Sequence, residues 1–175
     1  MFSIVIYDRF EDKVFIARDM QGEKTLHLYE DKNCILVSSE INAIKIYLNK
    51  NTINNYWLQT YLNSRHFLQF DKTIYKNIKI IEPGEIFAIN SNLKINKLHK
   101  INIHNLISEE IYLKNLKRNE DDLVNELDFI FKKNIKEMIP EKRNFCSILS
   151  GGVDSSLVSY YLSKISKPQN YLTVN

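Results

Sequence analysis

Phe145-Cys-Ser-Ile-Leu-Ser-Gly-Gly-Val-Asp-Ser-Ser-Leu-Val158 is the stretch on which the fold turns. Residues 145–149 form a short apolar run of strand type, and residues 155–165 carry a helical apolar pattern. A turn over 167–170 and a second apolar run over 171–174 follow. This strand–loop–helix–strand order predicts a right-handed crossover with the two strands parallel and adjacent. The loop lies where a strand ends and a helix begins. The first turn of a helix has unpaired N–H groups and a partial positive charge, so it attracts phosphate. Gly151 and Gly152 allow a tight turn and leave room for oxygens to approach, and Ser150, Ser155 and Ser156 add hydroxyls. Asp154 is out of place in an anion site. A divalent cation, Mg²⁺ by preference, bridging its carboxylate to the phosphates resolves the conflict.

The loop lacks the Gly-Lys-Ser/Thr ending of a Walker A motif. Ser150-Gly-Gly-Val-Asp-Ser155 resembles instead the S-G-G-x-D-S signature of the PP-loop in N-type ATP pyrophosphatases. That resemblance implies attack on the α-phosphate of ATP and release of pyrophosphate. It implies ATP contacts from Leu149, Ser150, Gly151, Gly152, Asp154, Ser155, Ser156 and Val174, with the metal at Asp154. Leu149 and Val174 are expected near the adenosine, since open parallel sheets bind ligands at the carboxyl ends of their strands.

The first hundred residues read mostly as β structure. Residues 2–7 and 14–17, joined by a turn-like 8–12, predict one hairpin, and residues 26–29 and 35–37 a second. Ser39 is the expected N-cap of a helix over 40–48, with Ile41, Ile44 and Leu48 on one face. A further helix is expected over 56–62. Residues 78–81 and 86–89 flank Glu82-Pro83-Gly84, which fits a type II turn and predicts a third hairpin. A strand over 93–98 completes the region. Residues 101–143 read as a linker with a short helix near 109–116 and a long one capped by Asn119 and stopped by Pro140. Leu123, Val124, Leu127, Ile130, Phe131, Ile135 and Met138 mark the apolar face of the long helix.

Four short motifs arrive in order along this segment: Phe2-Ser-Ile-Val-Ile-Tyr-Asp8, Ala17-Arg18-Asp19 with Gly22, Val37-Ser-Ser-Glu40 with Ala43, and Pro83-Gly84. Followed by the loop at 150–156, they resemble the second half of the class II glutaminase domain of glutamine-dependent asparagine synthetases, leading into the synthetase domain. The resemblance covers essentially the whole chain. It implies a partial four-layer-type sandwich over 1–100, a linker and helix over 101–143, and the start of a Rossmann-like synthetase domain over 144–175, an α/β chain throughout. The implied reaction is ATP-dependent amidation of aspartate through β-aspartyl-adenylate, with ammonia from glutamine. A related amidotransferase acting on another carboxylate and a non-catalytic nucleotide-binding or oligomerisation remnant are the alternatives. Ile81-Glu82 stands where the family has Leu-Pro, and Leu28-Tyr29 where it has a tyrosine pair. In the family the nucleophile is an N-terminal cysteine. Here residue 1 is Met, so the chain reads as part of a longer protein and no catalytic residue is assigned.

Composition narrows the remaining classes. Lys and Arg number 24 against 21 Asp and Glu, a net charge of +3. No basic stripe marks a nucleic-acid surface, and no apolar run is long enough for a membrane span. Cys34 and Cys146 are far apart, outside any metal or disulfide pattern, and are expected as small buried thiols. Together with the lack of a signal-peptide pattern these features predict a cytoplasmic protein; a homodimer is left open. Arg18 and Asp19 are expected to pair with one another and shape the turn before Gly22. His27, His99 and His104 have no ligand spacing and read as surface or satisfied core residues. Arg65 and His66 suit the end of a helix, and Tyr160 and Tyr161 are expected to pack.

Overall fold

The computed structural model describes residues 1–49, 52–66, 69, 71–166, 168 and 170–173. It is of mixed α/β class and divides into two compact units, Met1–Ile107 and Ser108–Asn175. Among the described residues no helix is long and apolar enough to cross a membrane.

The first unit is built on two antiparallel sheets. Strands β1 (Ser3–Asp8) and β2 (Lys13–Arg18) form the first expected hairpin. They join β6 (Glu85–Asn90) and β7 (Ile95–Lys100) in the order β1-β2-β6-β7. The second expected hairpin is β3 (His27–Glu30) with β4 (Ile35–Ser38), and β5 (Ile78–Ile80) completes a sheet of order β4-β3-β5. Side chains alternate between the faces of a strand. The inward set of the two sheets supplies one core of Ile16, Leu26, Leu28, Ile81, Phe87 and Ile89, with Val14, Ile35, Val37 and Ile95 packed against it.

The expected third hairpin does not form. The turn at Pro83-Gly84 is present, with Gly84 at φ +73° and Glu85 N–H donating to the Glu82 carbonyl at 3.3 Å, as a type II turn requires. Its two flanking strands nevertheless belong to different sheets: β5 pairs with β3 and β6 pairs with β2. A tight turn reverses the chain only locally. Which partner each strand then takes is decided by remote neighbours, and β3 and β2 compete successfully for the two arms.

Helix α1 (Ile41–Leu48) packs against β4 through buried Ile44. Its N-cap is Glu40, not Ser39, and no side chain caps it; Ser38 Oγ accepts from Glu40 N–H instead, at 3.2 Å. Pairing of β4 persists through Ser38, opposite His27, so the chain turns into the helix one residue later than expected. Helix α2 (Asn55–Ser64) is capped by the Asn54 side chain, which accepts from Tyr56 and Trp57 N–H. Arg65 ends it in the left-handed conformation, at φ 58°.

Arg18 and Asp19 do organise the turn near Gly22, though not by binding one another. The Asp19 side chain is 5% exposed and accepts N–H bonds from Phe2 at 3.3 Å, Glu23 at 3.1 Å and Lys24 at 3.2 Å. Its carbonyl accepts from Gly22 and Gly84, both at 3.0 Å. Arg18 donates to the carbonyls of Lys24, Ile81 and Gly22. Burial works to raise the Asp19 pKa. The backbone bonds from Lys24, Glu23, Phe2 and Gly22 outweigh it and hold the carboxyl at about 2.

The second unit contains α3 (Glu109–Asn115), α4 (Glu120–Met138), β8 (Cys146–Ile148), α5 (Val153–Ile165) and β9 (Asn170–Leu172). Ser108 caps α3, and Asn119 caps α4 as expected by accepting from Asp121 N–H. Strands β8 and β9 are parallel neighbours. The core is Ile135, Tyr161 and Leu162, with Phe131, Ile139, Phe145 and Ile165 packed against it. Phe131 and Tyr161 stack with centroids 5.7 Å apart, and Tyr161 Oη donates to Asp128 at 2.8 Å. Lys132 and then Tyr161, both hydrogen-bonded to Asp128, lower its pKa. The expected apolar face of α4 is buried only in part: Val124, Leu127, Ile130 and Met138 stay exposed, because α5 covers a stripe narrower than the apolar arc. Tyr160 is also largely exposed, and Cys146 is exposed, not buried.

Two outcomes follow for the first unit. The Asp19 carboxyl has its pKa lowered from 3.8 to about 2, so its contribution to stability is complete above pH 4 and is lost as pH falls through 2. Asp19→Asn should cost about 1–3 kcal/mol at neutral pH. It should also flatten the fall of the urea midpoint between pH 4 and 2; Asp31 and Asp128, lowered too, contribute equally to both proteins. An unchanged pH profile in the variant would show that Asp19 does not carry this dependence. Gly84→Ala, with its new Cβ 2.9 Å from the Ile101 carbonyl oxygen at a positive φ, should lower stability by about 1–3 kcal/mol in the same assay.

Candidate nucleotide-binding loop

Residues 149–152 link β8 to α5, and residues 153–156 form the first turn of that helix. Leu149 N–H still donates to the Leu172 carbonyl at 2.8 Å, so the parallel ladder runs to the edge of the loop. Ser147 on β8 and Ser159 on α5 are both buried, and their hydroxyls lie 3.3 Å apart. This polar contact fixes the helix on its strand and thereby aims the helix N-terminus. Neither serine was singled out by sequence; their small size and positions on the inward faces of strand and helix were the available signal.

Helix α5 begins two residues earlier than expected, at Val153, with Gly152 as N-cap. No side-chain bond caps it through Gly152, which has no side chain to do so. Gly151 takes φ +81°, which a residue with a Cβ adopts only with strain, and a Cβ there would meet nothing within 4 Å. The space above Gly151 is therefore open, and the loop is braced by its own hydrogen bonds. Ser150 N–H donates to Ser155 Oγ at 3.3 Å, and the two hydroxyls lie 3.0 Å apart. Gly152 N–H reaches Ser150 Oγ at 3.5 Å. Ser155 and Ser156 hydroxyls both donate to the Gly152 carbonyl, at 3.1 and 2.8 Å.

The structure thus brings Ser150, Gly151, Gly152, Ser155 and Ser156 into one braced loop at the positive end of a thirteen-residue helix. Asp154 stands in the first turn of that helix, exposed. Leu149 lies half-buried at the loop entrance. Val174 lies outside the described residues. Among the described residues no group of three or more His, Cys, Asp or Glu side chains is placed to hold a metal ion. A cation at Asp154 would therefore take most of its ligands from phosphate oxygens and water, in keeping with Mg²⁺ chemistry. The donor set fits a bound phosphate. The first-turn N–H groups have no intrahelical acceptor, and the serine hydroxyls can turn from the Gly152 carbonyl to an anion.

Cys34 sits in the turn before β4. Burial first, and then the Asp31 carboxylate, raise its pKa, so at neutral pH it is a thiol and not a nucleophilic thiolate. Asp31 accepts the Cys34 N–H at 2.8 Å, which makes the position part of a turn. His99 is exposed. His27 departs from expectation: it is buried, and its Nδ1 has no hydrogen-bond partner.

Residues 1–99 match the family model of the glutamine amidotransferase domain. Among curated proteins, the glutamine-hydrolyzing asparagine synthetase 2 of Bacillus subtilis (strain 168) is 25% identical over 172 residues, covering 94% of this chain and 22% of the relative. The glutamine-hydrolyzing asparagine synthetase 1 of the same organism is 26% identical over 160 residues, covering 90% of this chain and 24% of the relative. The chain spans under a quarter of the length of these relatives. With more than half of its residues inside the domain model, the chain belongs to the glutamine amidotransferase domain family, and along nearly all of its length it is similar to glutamine-hydrolyzing asparagine synthetases.

Proposed function

We propose that this chain is part of a glutamine-dependent amidotransferase and that its loop at 150–156 binds the phosphates of ATP. The observation that carries the reading is the position of the loop. A glycine pair, with open space above Gly151, leads into a helix whose N-terminus is set by a parallel strand pair and a buried serine contact. Loops of that placement bind phosphate through backbone N–H groups and the helix dipole. The acceptor is taken to be aspartate, the acid whose amide is asparagine, because the two relatives are named asparagine synthetases, with ammonia drawn from glutamine.

In this reading each residue has a distinct role. Gly151 and Gly152 keep the approach free of side-chain atoms. The first-turn N–H groups, with Ser150, Ser155 and Ser156, donate to the β- and γ-phosphate oxygens and so hold the pyrophosphate that leaves. Asp154 recruits the divalent cation, which when bound offsets the charge on the phosphates. Leu149 borders the adenosine. Donors fixed in advance at the helix end stabilise charge as it grows on the departing pyrophosphate, without having to reorganise.

Titration of Mg·ATP into the 175-residue chain, followed by the amide signals of residues 150–157, tests the reading. A loop alone makes few contacts, so the dissociation constant should be on the order of millimolar, roughly −4 kcal/mol. Asp154→Asn should weaken the Mg²⁺-dependent part at least about tenfold, roughly 1.4 kcal/mol. Ser163→Ala, whose hydroxyl donates only to the Tyr160 carbonyl, should leave it unchanged. Equal losses in the two variants would remove the metal role, and loop signals that ignore Mg·ATP would remove the nucleotide site.

A further inference from the structure

Strand β1 is one margin of the four-stranded sheet, and among the described residues β2 is its only strand partner. In an antiparallel pair the N–H and C=O of one residue point the same way, and the direction reverses at the next residue. The Phe2 carbonyl accepts from Asp19 N–H at 3.0 Å, and Phe2 N–H donates to the Asp19 carboxylate. Phe2, Ile4, Ile6 and Asp8 therefore address β2. Ser3, Val5 and Tyr7 direct their backbone groups away from it, along the free edge.

The same strand is apolar on both faces. Val5 and Tyr7 line a groove of about 510 Å³ together with Val14, Ile35, Val37 and Ile89. Ile4 and Ile6 lie on the opposite face. Phe2, Ile4, Val5, Ile6 and Tyr7 are between 39% and 57% exposed. No charged residue stands between Ser3 and Tyr7. The other margin of the sheet differs. There β7 carries Lys97 and Lys100, paired with Glu85 and Glu82, and lysines of this kind are what keep natural edge strands from pairing.

We propose that β1 is a dimerisation strand, which pairs antiparallel with β1 of a second copy of this chain about a two-fold axis at Val5. That register sets Ser3 opposite Tyr7 of the second copy and Val5 opposite its own equivalent, so every outward N–H and C=O of the two strands is met. It also brings Ile4 of one copy against Ile6 of the other. The occupant is a second copy because the strand is complementary to itself. Its outward backbone groups close on one another about Val5, and it holds no charge to repel its equivalent. At roughly 100 Å² for each half-exposed side chain, and with the backbone edge added, about 600 Å² per copy is covered, the size of a small specific interface. The dissociation constant should accordingly lie in the micromolar range. Because lysines guard β7, pairing stops at two copies. The surface belongs to the first unit, and the inference does not depend on the reading of the loop at 150–156.

Sedimentation velocity of the 175-residue chain, run over a series of rising micromolar concentrations, should pass from the mass of one chain to that of two. Amide hydrogen exchange on the same samples locates the contact. The N–H groups of Val5 and Tyr7 should exchange at least about tenfold more slowly in the dimer, while those of Ile4 and Ile6, already bonded to β2, should change less. Val5→Pro removes an outward N–H that serves no strand partner in the single chain, and edge strands tolerate proline at such positions, so this variant should stay monomeric. Ile6→Lys, which places a charge in the apolar contact, should weaken the dimer at least about tenfold. A chain that stays monomeric across the series would overturn the proposal. So would a dimer whose Val5 and Tyr7 amides exchange as in the monomer, because it would be using another face, and so would growth beyond two copies. The mass and exchange readouts use the unaltered chain, so the proposal remains testable if a variant fails to fold.

Discussion

The first unit depends on one buried carboxylate. A charge placed out of water must be met by donors, or it is expelled or neutralised. Asp19 meets that demand with backbone N–H groups from the start of β1 and from the turn after β2, while its carbonyl takes the Gly84 N–H of the turn between the sheets. Arg18, next in the chain, does the converse with carbonyls of Lys24, Ile81 and Gly22. Two adjacent residues of opposite charge thus bind the backbone of three separate segments. The sandwich closes around that junction, since the crossing from β5 to β6 passes directly over it.

The second unit uses a weaker version of the same device. Ser147 and Ser159 are too small and polar to add much to an apolar core, yet their buried hydroxyls locate α5 on β8. Tyr161, reaching Asp128 while stacking on Phe131, locates α5 on α4. The helix that begins at the glycine pair is therefore held at two points along its length, and its N-terminus has a defined direction. A phosphate site needs that more than it needs any particular side chain, because most of its donors are backbone N–H groups.

The loop and the amidotransferase-type unit carry different kinds of information. In the loop, residue types carry the proposed chemistry: glycines for access, hydroxyls and helix-end N–H groups for an anion, a carboxylate for a cation. In the first unit the motifs shared with the asparagine synthetase family prove to be structural. Ala17-Arg18-Asp19 with Gly22 and Pro83-Gly84 build the junction between the sheets, and Ser38 with Glu40 makes the exit from β4 into α1.

Local chemistry was legible in the chain itself. Short apolar runs bounded by turn residues gave away β1 through β4, Asn119 and the three acidic residues after it marked the start of α4, and Pro83-Gly84 announced its turn. The crossover from β8 through α5 to β9 followed from handedness alone, since a short loop and one helix leave a parallel neighbour as the simple solution. The motif at 150–156 was legible for the same reason, as it resides in consecutive residues. Partnerships between remote segments were not readable. Sequence order suggested that the strands around Pro83-Gly84 pair with each other; long-range hydrogen bonding assigned them to different sheets. Adjacent charges suggested an Arg18–Asp19 pair; burial turned both toward backbone groups that only the folded chain brings near. His27, in an apolar run, became a buried side chain whose Nδ1 has no hydrogen-bond partner, because whether Nδ1 is met depends on segments that arrive from elsewhere in the chain. Residue types determine which interactions are available, and the tertiary structure decides which are used, because a hydrogen bond or a contact requires position as well as chemistry.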